Sequence, residues 1–503
     1  MNERAKKLYH GLFYVLIFAF LFVWFSKIHA LVVFDADDWS YLAYVRKTTP
    51  VWGEWNPAKV FPEVVFPFFS TVAAYLLMPL TKDYITAQTI MHACVVSLAI
   101  TGYLWCFSCL LRRSFSLSRL IASLLTVLFL IFHFLALRSE ESGNQYLFYC
   151  VDLNCYYNYL LPSLLNASLV LCLTANEKLQ TFLTGGAPAA RGCFYVVVYL
   201  AIFSNLPASG ILAAWAGSVL LLELLRRWKQ KNWAGFLSGS AFPIGVLIAW
   251  LVSAVFELSG GRAAAAGGDT SIVYRVYLAC KNLVRVLLNC NPVFLLCVLG
   301  IVLAACVVLF LTRKNRGSRD QQLTAICSTM LIAFAAYGVY LVLLCAAVNP
   351  GSIHRSENLF GAFFYGMTIV MLLLAYLVSR YPKILLALPL LLFFLVSDVD
   401  TRDQTFLESN FAGVRPSVCG EISQNLIAQL QEADQMGLSE TVLRVPVYVS
   451  DPETQDNWPH SLNLIERLPD TLYAHGLISR YIFVIPTADP GMNQLFNLPV
   501  PGQ

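Results

Sequence analysis

LYHGLFYVLIFAFLFVWFSKIHALVVFDADDW, residues 8–39, decides the fold class and marks the first place to look for chemistry. Leu8 to Phe34 is almost uninterrupted apolar sequence. It is too long for a signal-peptide core and lacks a small-residue cleavage site. A bilayer crossing needs ~20 such residues, so the segment reads as a retained membrane span. It ends in Asp35, Asp37 and Asp38. Three acids within four residues repel one another unless water, a metal ion, a cationic substrate group or a mobile proton neutralises them. Ionisable residues at a bilayer boundary are functional hypotheses by default.

The rest of the chain repeats the apolar pattern. Of 503 residues, 58% are hydrophobic and 13% charged, the latter about half the ~25% of soluble proteins. Mean hydropathy is +0.64. The fold class is therefore an α-helical polytopic membrane protein. The net charge of +4 comes from basic residues in short loops, so it reports orientation and not nucleic-acid binding. Most of the 14 cysteines fall inside apolar runs and act as small apolar residues. Cys150 and Cys155 share one loop and are able to pair if that loop faces an oxidising side. No cysteine spacing matches a zinc site.

Placing Lys/Arg clusters on the cytoplasmic side gives about 11 transmembrane helices, with the N-terminus inside. Span 1 (about 9–33) delivers the acids outside. Residues 61–80, with Pro62, Pro67, Pro79 and Glu63, read as an interfacial or re-entrant helix. Span 2 (about 84–111) then brings Arg112 and Arg113 inside. Spans follow at about 118–137 and 158–175, two more within the Cys193 to Leu225 run, and then at about 233–256, 292–312, 323–348, 358–378 and 384–397. Ser204-Asn205-Leu206-Pro207 makes a hairpin tip, and SIVYRVYLACKNLVRVLLN (271–289) a second interfacial helix. Residues 1–397 form the transmembrane domain, with a first outer loop at 34–83. Residues 398–503 form a small C-terminal α/β extracytoplasmic domain, with strands in VLRVPVYVS and RYIFVIP and a helix in EISQNLIAQLQEADQM.

On this topology the unusual polar residues converge on the outer face. An aspartate there is able to act as general base for an acceptor hydroxyl, or to hold a divalent cation such as Mg or Mn that neutralises a leaving phosphate. Asp37 and Asp38 are the catalytic candidates, and Asp35 with Asp38 the metal candidates. The plainer reading is that Asp37 or Asp38 caps the helix starting WSYLAYVRK. His354-Arg355 sits at headgroup level, where a guanidinium clamps phosphate oxygens in a fork; pairing with Glu357 is the alternative. Lys59 gets the same reading. Trp39, Asp152, Tyr157 and Asn158 set aromatic planes beside polar groups, as sugar or acceptor binding requires. Trp52 and Trp55 share that pattern, and an interfacial aromatic belt would produce it too. His92 and His133 lie in apolar helices as hydrogen-bonded packing residues. No nucleotide-binding loop, Gly-x-Ser-x-Gly or His-Glu-x-x-His occurs, so a sugar-transferring enzyme of this design needs a lipid-linked donor.

Asp37-Asp38-Trp39, the Phe61–Leu80 stretch, Tyr157-Asn158-Tyr159-Leu160-Leu161-Pro162, the Pro350 to Arg355 loop and Asp456-Asn457-Trp458-Pro459 together resemble the GT-C superfamily of integral membrane glycosyltransferases. The likeness is to the bacterial branch of O-antigen glucosyltransferase-like and mannosyltransferase-like proteins. It implies Asp37 or Asp38 as base or metal ligand, and Arg355 as clamp for the donor phosphate. Relatives often carry Gly-Arg after the acidic motif. Here Asn56-Pro57-Ala58-Lys59-Val60 stands instead, and Lys59 supplies a point charge in place of a fork.

The expected activity is transfer of a hexose, with inversion, from a polyprenyl-phosphate donor to a cell-surface glycan or lipid-linked acceptor. The rivals are a transporter or flippase of lipid-linked glycans, and a non-enzymatic scaffold for envelope assembly. A transporter built of repeats keeps its polar residues at the midplane, whereas this chain keeps its charges at the rim.

Overall fold

The computed structural model describes residues 3–43, 59–137, 146–176, 179–230, 233–259, 270–313, 317–397, 414–447 and 463–500. Trp52, Trp55, residues 56–58 and the Asp456 to Pro459 motif lie outside these.

The chain is a multi-pass helical membrane protein. Among the described residues, nine helices are long and apolar enough to cross a membrane. Helix α1 (Glu3–Val23) runs on through a π turn, Trp24–Ile28. After a short α2 (Ala36–Tyr41) comes α3 (Val60–Val72), which continues without a break to Thr81. Then come α4 (Tyr84–Phe115), α5 (Arg119–Leu135) and α6 (Leu153–Ala175). A short α7 (Leu179–Gly185) leads to α8 (Pro188–Ile202), α9 (Leu206–Gln230) and α10 (Trp233–Leu258). Beyond α11 (Ile272–Leu288) lie α12 (Pro292–Leu311), α13 (Ser318–Val348), α14 (Ser356–Arg380) and α15 (Leu388–Ser397).

Side-chain caps set several starts. Asp83 accepts from Thr86 N at 2.5 Å, Ser118 from Ile121 N at 3.3 Å, and Asn291 from Phe294 N at 3.1 Å. Each satisfies an amide that the first helical turn leaves unbonded. Asn205 does the same for Ala208 N at 2.9 Å, and it divides α8 from α9 at the expected Ser204-Asn205-Leu206-Pro207.

Eleven spans are expected from the sequence, and the remaining apolar helices fall below that length. Helices α5, α8 and Pro382–Ser397 are apolar but short. The 17 residues of α5 reach ~25 Å, under the ~30 Å of a hydrocarbon core. Val60–Thr81, expected at the interface, has the length and hydropathy of a span because its prolines fail to break it. Pro67 sits inside the helix, and π-turn geometry at Ala73–Leu77 follows it.

Contacts sort the helix ends into two groups. One end joins Ala136 and Leu137 to Cys290 and Asn291, and Asn291 to Leu395. Asn282 of α11 reaches Pro350 O there at 3.1 Å, and Arg275 donates to Ala347 O. The other end pairs Asp320 with Arg380 at 2.8 Å. Helix α3 begins with Val60 N bonded to Phe203 O at 3.1 Å. Its far end bonds to the carboxy-terminal segment, Tyr75 Oη to Ala474 O at 2.9 Å. That segment also holds Val33 O through Ser423 (2.7 Å) and Trp39 O through Thr471 (3.1 Å). Both ends of α3 are thus tied to the end of the bundle where α1 gives way to the acids.

The carboxy-terminal segment folds as α16 (Pro416–Gln435), β1 (Glu440–Val445), α17 (Asn463–Ala474), β2 (Phe483–Ala488) and α18 (Pro490–Leu495). The strands pair in parallel, from Glu440 opposite Phe483 to Val445 opposite Ala488. A parallel pair needs a long crossover, which contains α17. Strand β1 stops before Pro446, which has no N–H for the ladder.

Candidate functional site

The site is built where α1, α2, α6 and α14 meet. Asp35, not Asp37 or Asp38, is the N-cap of α2, and the helix starts three residues before Trp39. Asp37 and Asp38 then fall in its first turn, where helix-dipole charge favours acids.

Asp38 is fully buried and its carboxylate is taken up by backbone amides. Oδ2 accepts from Phe34 N at 3.2 Å and Asp35 N at 3.3 Å; Oδ1 accepts from Asn154 N at 2.8 Å. It therefore staples the end of α1 to the start of α6 across 116 residues of sequence. Asp35 is 2% exposed and its Oδ1 has no partner among the described residues. Asp37 is half-buried, the most accessible carboxylate of the three.

Asp152 caps α6. Its Oδ1 accepts from Cys155 N at 2.6 Å and its Oδ2 from Cys155 Sγ at 3.2 Å. Cys155 Sγ also accepts from Arg355 Nη2 at 3.3 Å. Arg355 Nε donates to buried Glu357 at 2.5 Å, and its guanidinium carbon stands 5.6 Å from the centre of the Tyr159 ring. Among the described residues Arg355 Nη1 makes no hydrogen bond. Glu357 is backed by Ser356, whose hydroxyl donates to Tyr149 O at 2.7 Å.

Burial, then the Asp38 charge, holds the Asp35 carboxyl well above the usual range. Burial also raises Asp38, with Asp152 adding to it and the amides of Asn154 and Phe34 opposing. Burial pushes Asp152 up to about 6, against the pull of the Cys155 amide. Arg355 loses hydration too, but the adjacent Glu357 carboxylate keeps its cationic form favoured. Asp35, Asp38 and Asp152 are thus raised carboxyls, and of the three Asp152 is the one beside the Arg355 guanidinium.

The other sequence candidates are placed as follows. Trp39 is fully buried and stacked on Tyr84, with ring centres 6.4 Å apart. Tyr157 is fully buried, stacked on Phe66 at 4.6 Å, and bonded through its hydroxyl to His92 Nδ1 at 2.6 Å. The ring faces of Trp39 and Tyr157 are therefore already occupied by protein. Asn158 donates to Asn154 Oδ1 at 2.7 Å, and its carbonyl accepts from Asn205. Lys59, with a left-handed backbone (φ 56°), pairs with Glu257 of α10 at 3.4 Å. His354 is half-buried beside Arg355. His92 and His133 are buried and hydrogen-bonded, His133 to Phe129 O at 2.7 Å. Cys150 and Cys155 are free thiols.

Asp35 keeps one oxygen without a partner among the described residues, whereas both oxygens of Asp38 accept backbone amides. Among the described residues no three metal-ligating side chains gather. The sequence reading missed Cys155, whose thiol links Asp152 to Arg355, and Glu257. The Asp-x-x-Cys spacing at a helix start is the signal that points to the first. Compared with family models, curated proteins and solved structures, the chain matches none of them.

Proposed function

We propose that this chain is a GT-C-like glycosyltransferase. It moves a hexose from a polyprenyl-phosphate donor to a cell-surface glycan or lipid-linked acceptor on the extracytoplasmic face. The observation that carries the reading is the meeting of half-buried Asp37, raised Asp152 and an Arg355 with a free Nη1 at one end of the bundle.

Orientation follows from charge. Arg112, Arg113, Arg226, Arg227 and Arg380 belong to the end away from the acids, and basic residues stay cytoplasmic. The acids and the carboxy-terminal α/β unit are then extracytoplasmic. Helices α5, α8 and Pro382–Ser397 cross as well, giving 11 spans. Helix α3 lies across the outer ends, because both of its termini are bonded there.

Asp37 takes the proton of the acceptor hydroxyl as that oxygen bonds to the sugar C1. The C1–O bond to phosphate breaks on the opposite side, so the configuration inverts. Arg355 holds the departing phosphate through Nη1, positioned by Glu357, Cys155 and Tyr159. Asp38 is a positioning residue, since amides already occupy its carboxylate.

The test is complementation of a deletion strain, with surface glycans read by mass spectrometry at matched membrane expression. Deletion should remove one sugar, wild type should restore it, and Asp37→Ala and Arg355→Ala should not. Restoration by the variants, or an intact glycan lacking only export, would point to a scaffold or a transporter instead.

A further inference from the structure

We propose that the end of the bundle away from the acids carries a binding site for one anionic phospholipid, built by His10 of α1, Arg112 of α4 and Arg119 of α5. The proposal stands independently of the transferase reading.

Three helices bring these side chains together. Helix α4 begins with Tyr84 stacked on Trp39 at the acid end and finishes at Phe115, so Arg112 lies at its far end. Helix α5 starts at Arg119, just beyond the turn that follows. Helix α1 packs along both. Its Tyr14 sets a hydroxyl beside that of Ser108 on α4, and the Tyr14 ring meets the His10 ring edge-on, with centres 5.1 Å apart. Arg112 and Arg119 both stand close enough to His10 for their charge to act on its ring.

Two observations call for an anion there. The first is charge. Arg226 and Arg227 of α9 share Glu223, and Arg380 pairs with Asp320. Arg112 and Arg119 form no ion pair among the described residues. The second is hydrogen bonding. Arg119 Nη1 and His10 Nδ1 are buried, and neither has a partner among the described residues. Buried polar nitrogens are nearly always bonded, and leaving a charged group's N–H bare is costly. Water would satisfy the nitrogens but leave both guanidinium charges unbalanced. A phosphate answers both needs, since its oxygens accept charge-assisted bonds from a guanidinium and a further bond from an imidazole N–H.

The surroundings select a lipid phosphate. Leu12 and Leu16 of α1 and Leu120 and Leu124 of α5 are exposed, and α1 belongs to a helix long and apolar enough to cross a membrane. An acyl chain covers such leucines, whereas a free phosphate leaves them bare. Basic pockets between membrane helices hold anionic headgroups in this way. Phosphatidylglycerol offers its phosphate an unneutralised charge. The choline of phosphatidylcholine competes with the arginines for the same oxygens. A lipid seated here would join α1, α4 and α5.

The test is native mass spectrometry of the purified full-length protein in detergent, titrated with phosphatidylglycerol and, separately, phosphatidylcholine. Wild type should hold one phosphatidylglycerol in preference to phosphatidylcholine, and equal binding of the two overturns the proposal. The double variant Arg112→Ala/Arg119→Ala should bind phosphatidylglycerol at least about tenfold more weakly, as loss of charge-assisted contacts implies. Arg226→Ala/Arg227→Ala removes the same charge from an already paired site and should bind as wild type does. Unchanged binding in the first double variant overturns the proposal. So does an equal loss in both, which would mark diffuse attraction to a basic rim, or displacement by equimolar glycerol phosphate, which would mark a free-phosphate site. If the first double variant does not fold, Arg119→Lys decides. It keeps the charge and loses the fork, so it should bind measurably more weakly; equal or tighter binding sinks the idea.

Discussion

The two ends of the helix bundle handle buried carboxylates in opposite ways. At the Arg380 end a single acid, Asp320, is saturated. It accepts from Tyr376 Oη at 2.7 Å, Arg380 Nη2 at 2.8 Å and Gly317 N at 2.8 Å. At the other end Asp35, Asp37, Asp38 and Asp152 act on one another, Asp152 and Glu357 share the one guanidinium, and Asp35 keeps an oxygen without a partner among the described residues. A satisfied buried pair joins helices and does nothing more. A buried cluster with excess acid and an open guanidinium N–H is costly to maintain by itself. That cost makes sense where the groups are kept for chemistry, a carboxyl to take a proton and a guanidinium N–H to hold a phosphate.

The sharpest way to break this contrast is Asp37→Asn. Loss of a general base should lower the sugar-transfer rate by roughly 10²–10⁴, measured per folded molecule. If transfer persists, the acid end is as structural as the Asp320 end.

Next comes a matched pair of charge deletions. Arg355→Ala and Arg380→Ala each strand a buried carboxylate, and each should cost about 3–5 kcal/mol in thermal or denaturant unfolding. Only Arg355→Ala should also abolish transfer per folded molecule. Equal loss of activity in both would erase the distinction.

A third measurement uses pH. The folded state raises Asp152 from 3.8 to about 6. Folded protein therefore keeps this proton to higher pH than unfolded chain, and stability falls as pH rises between those values. The stability difference between wild type and Asp152→Asn should shift against wild type by up to about 3 kcal/mol from pH 4 to pH 7. A shift of the opposite sign would show a carboxylate stabilised by Arg355 instead of one penalised by burial.

The smallest effect is expected at Lys59. Its ion pair with Glu257 is partly exposed, so Lys59→Ala should cost about 1 kcal/mol or less. Transfer should continue if Arg355 alone holds the phosphate. A large loss of activity at full stability would give Lys59 a role in donor binding.

Much of this was legible in the residues. The apolar runs and the Arg112-Arg113 and Arg226-Arg227 clusters predicted a multi-pass helical protein, and Ser204-Asn205-Leu206-Pro207 predicted a turn, because desolvation and capping act locally. The acids at 35–38 drew attention because charge beside an apolar span is expensive wherever the chain goes. What the sequence could not separate was a long apolar helix that crosses from one that lies flat. Val60–Thr81 has a span's length and composition, and the bonds at its two ends, Val60 to Phe203 and Tyr75 to Ala474, are contacts that no composition encodes.

The sequence by itself determined the class of molecule and which polar residues would have to be explained, since both follow from the cost of placing a side chain in or beside a bilayer. Tertiary structure alone decided their division of labour. Asp38 became a staple because Asn154 N, 116 residues away, arrives at 2.8 Å. Trp39 and Tyr157 became packing residues because Tyr84 and Phe66 cover their rings. Asp37 stayed half-buried in the first turn of α2, and Arg355 kept Nη1 unbonded among the described residues while Glu357 and Cys155 took its other nitrogens. Hydrogen bonds and ring contacts act only over a few ångströms, and no spacing along the chain encodes which distant atoms come that close.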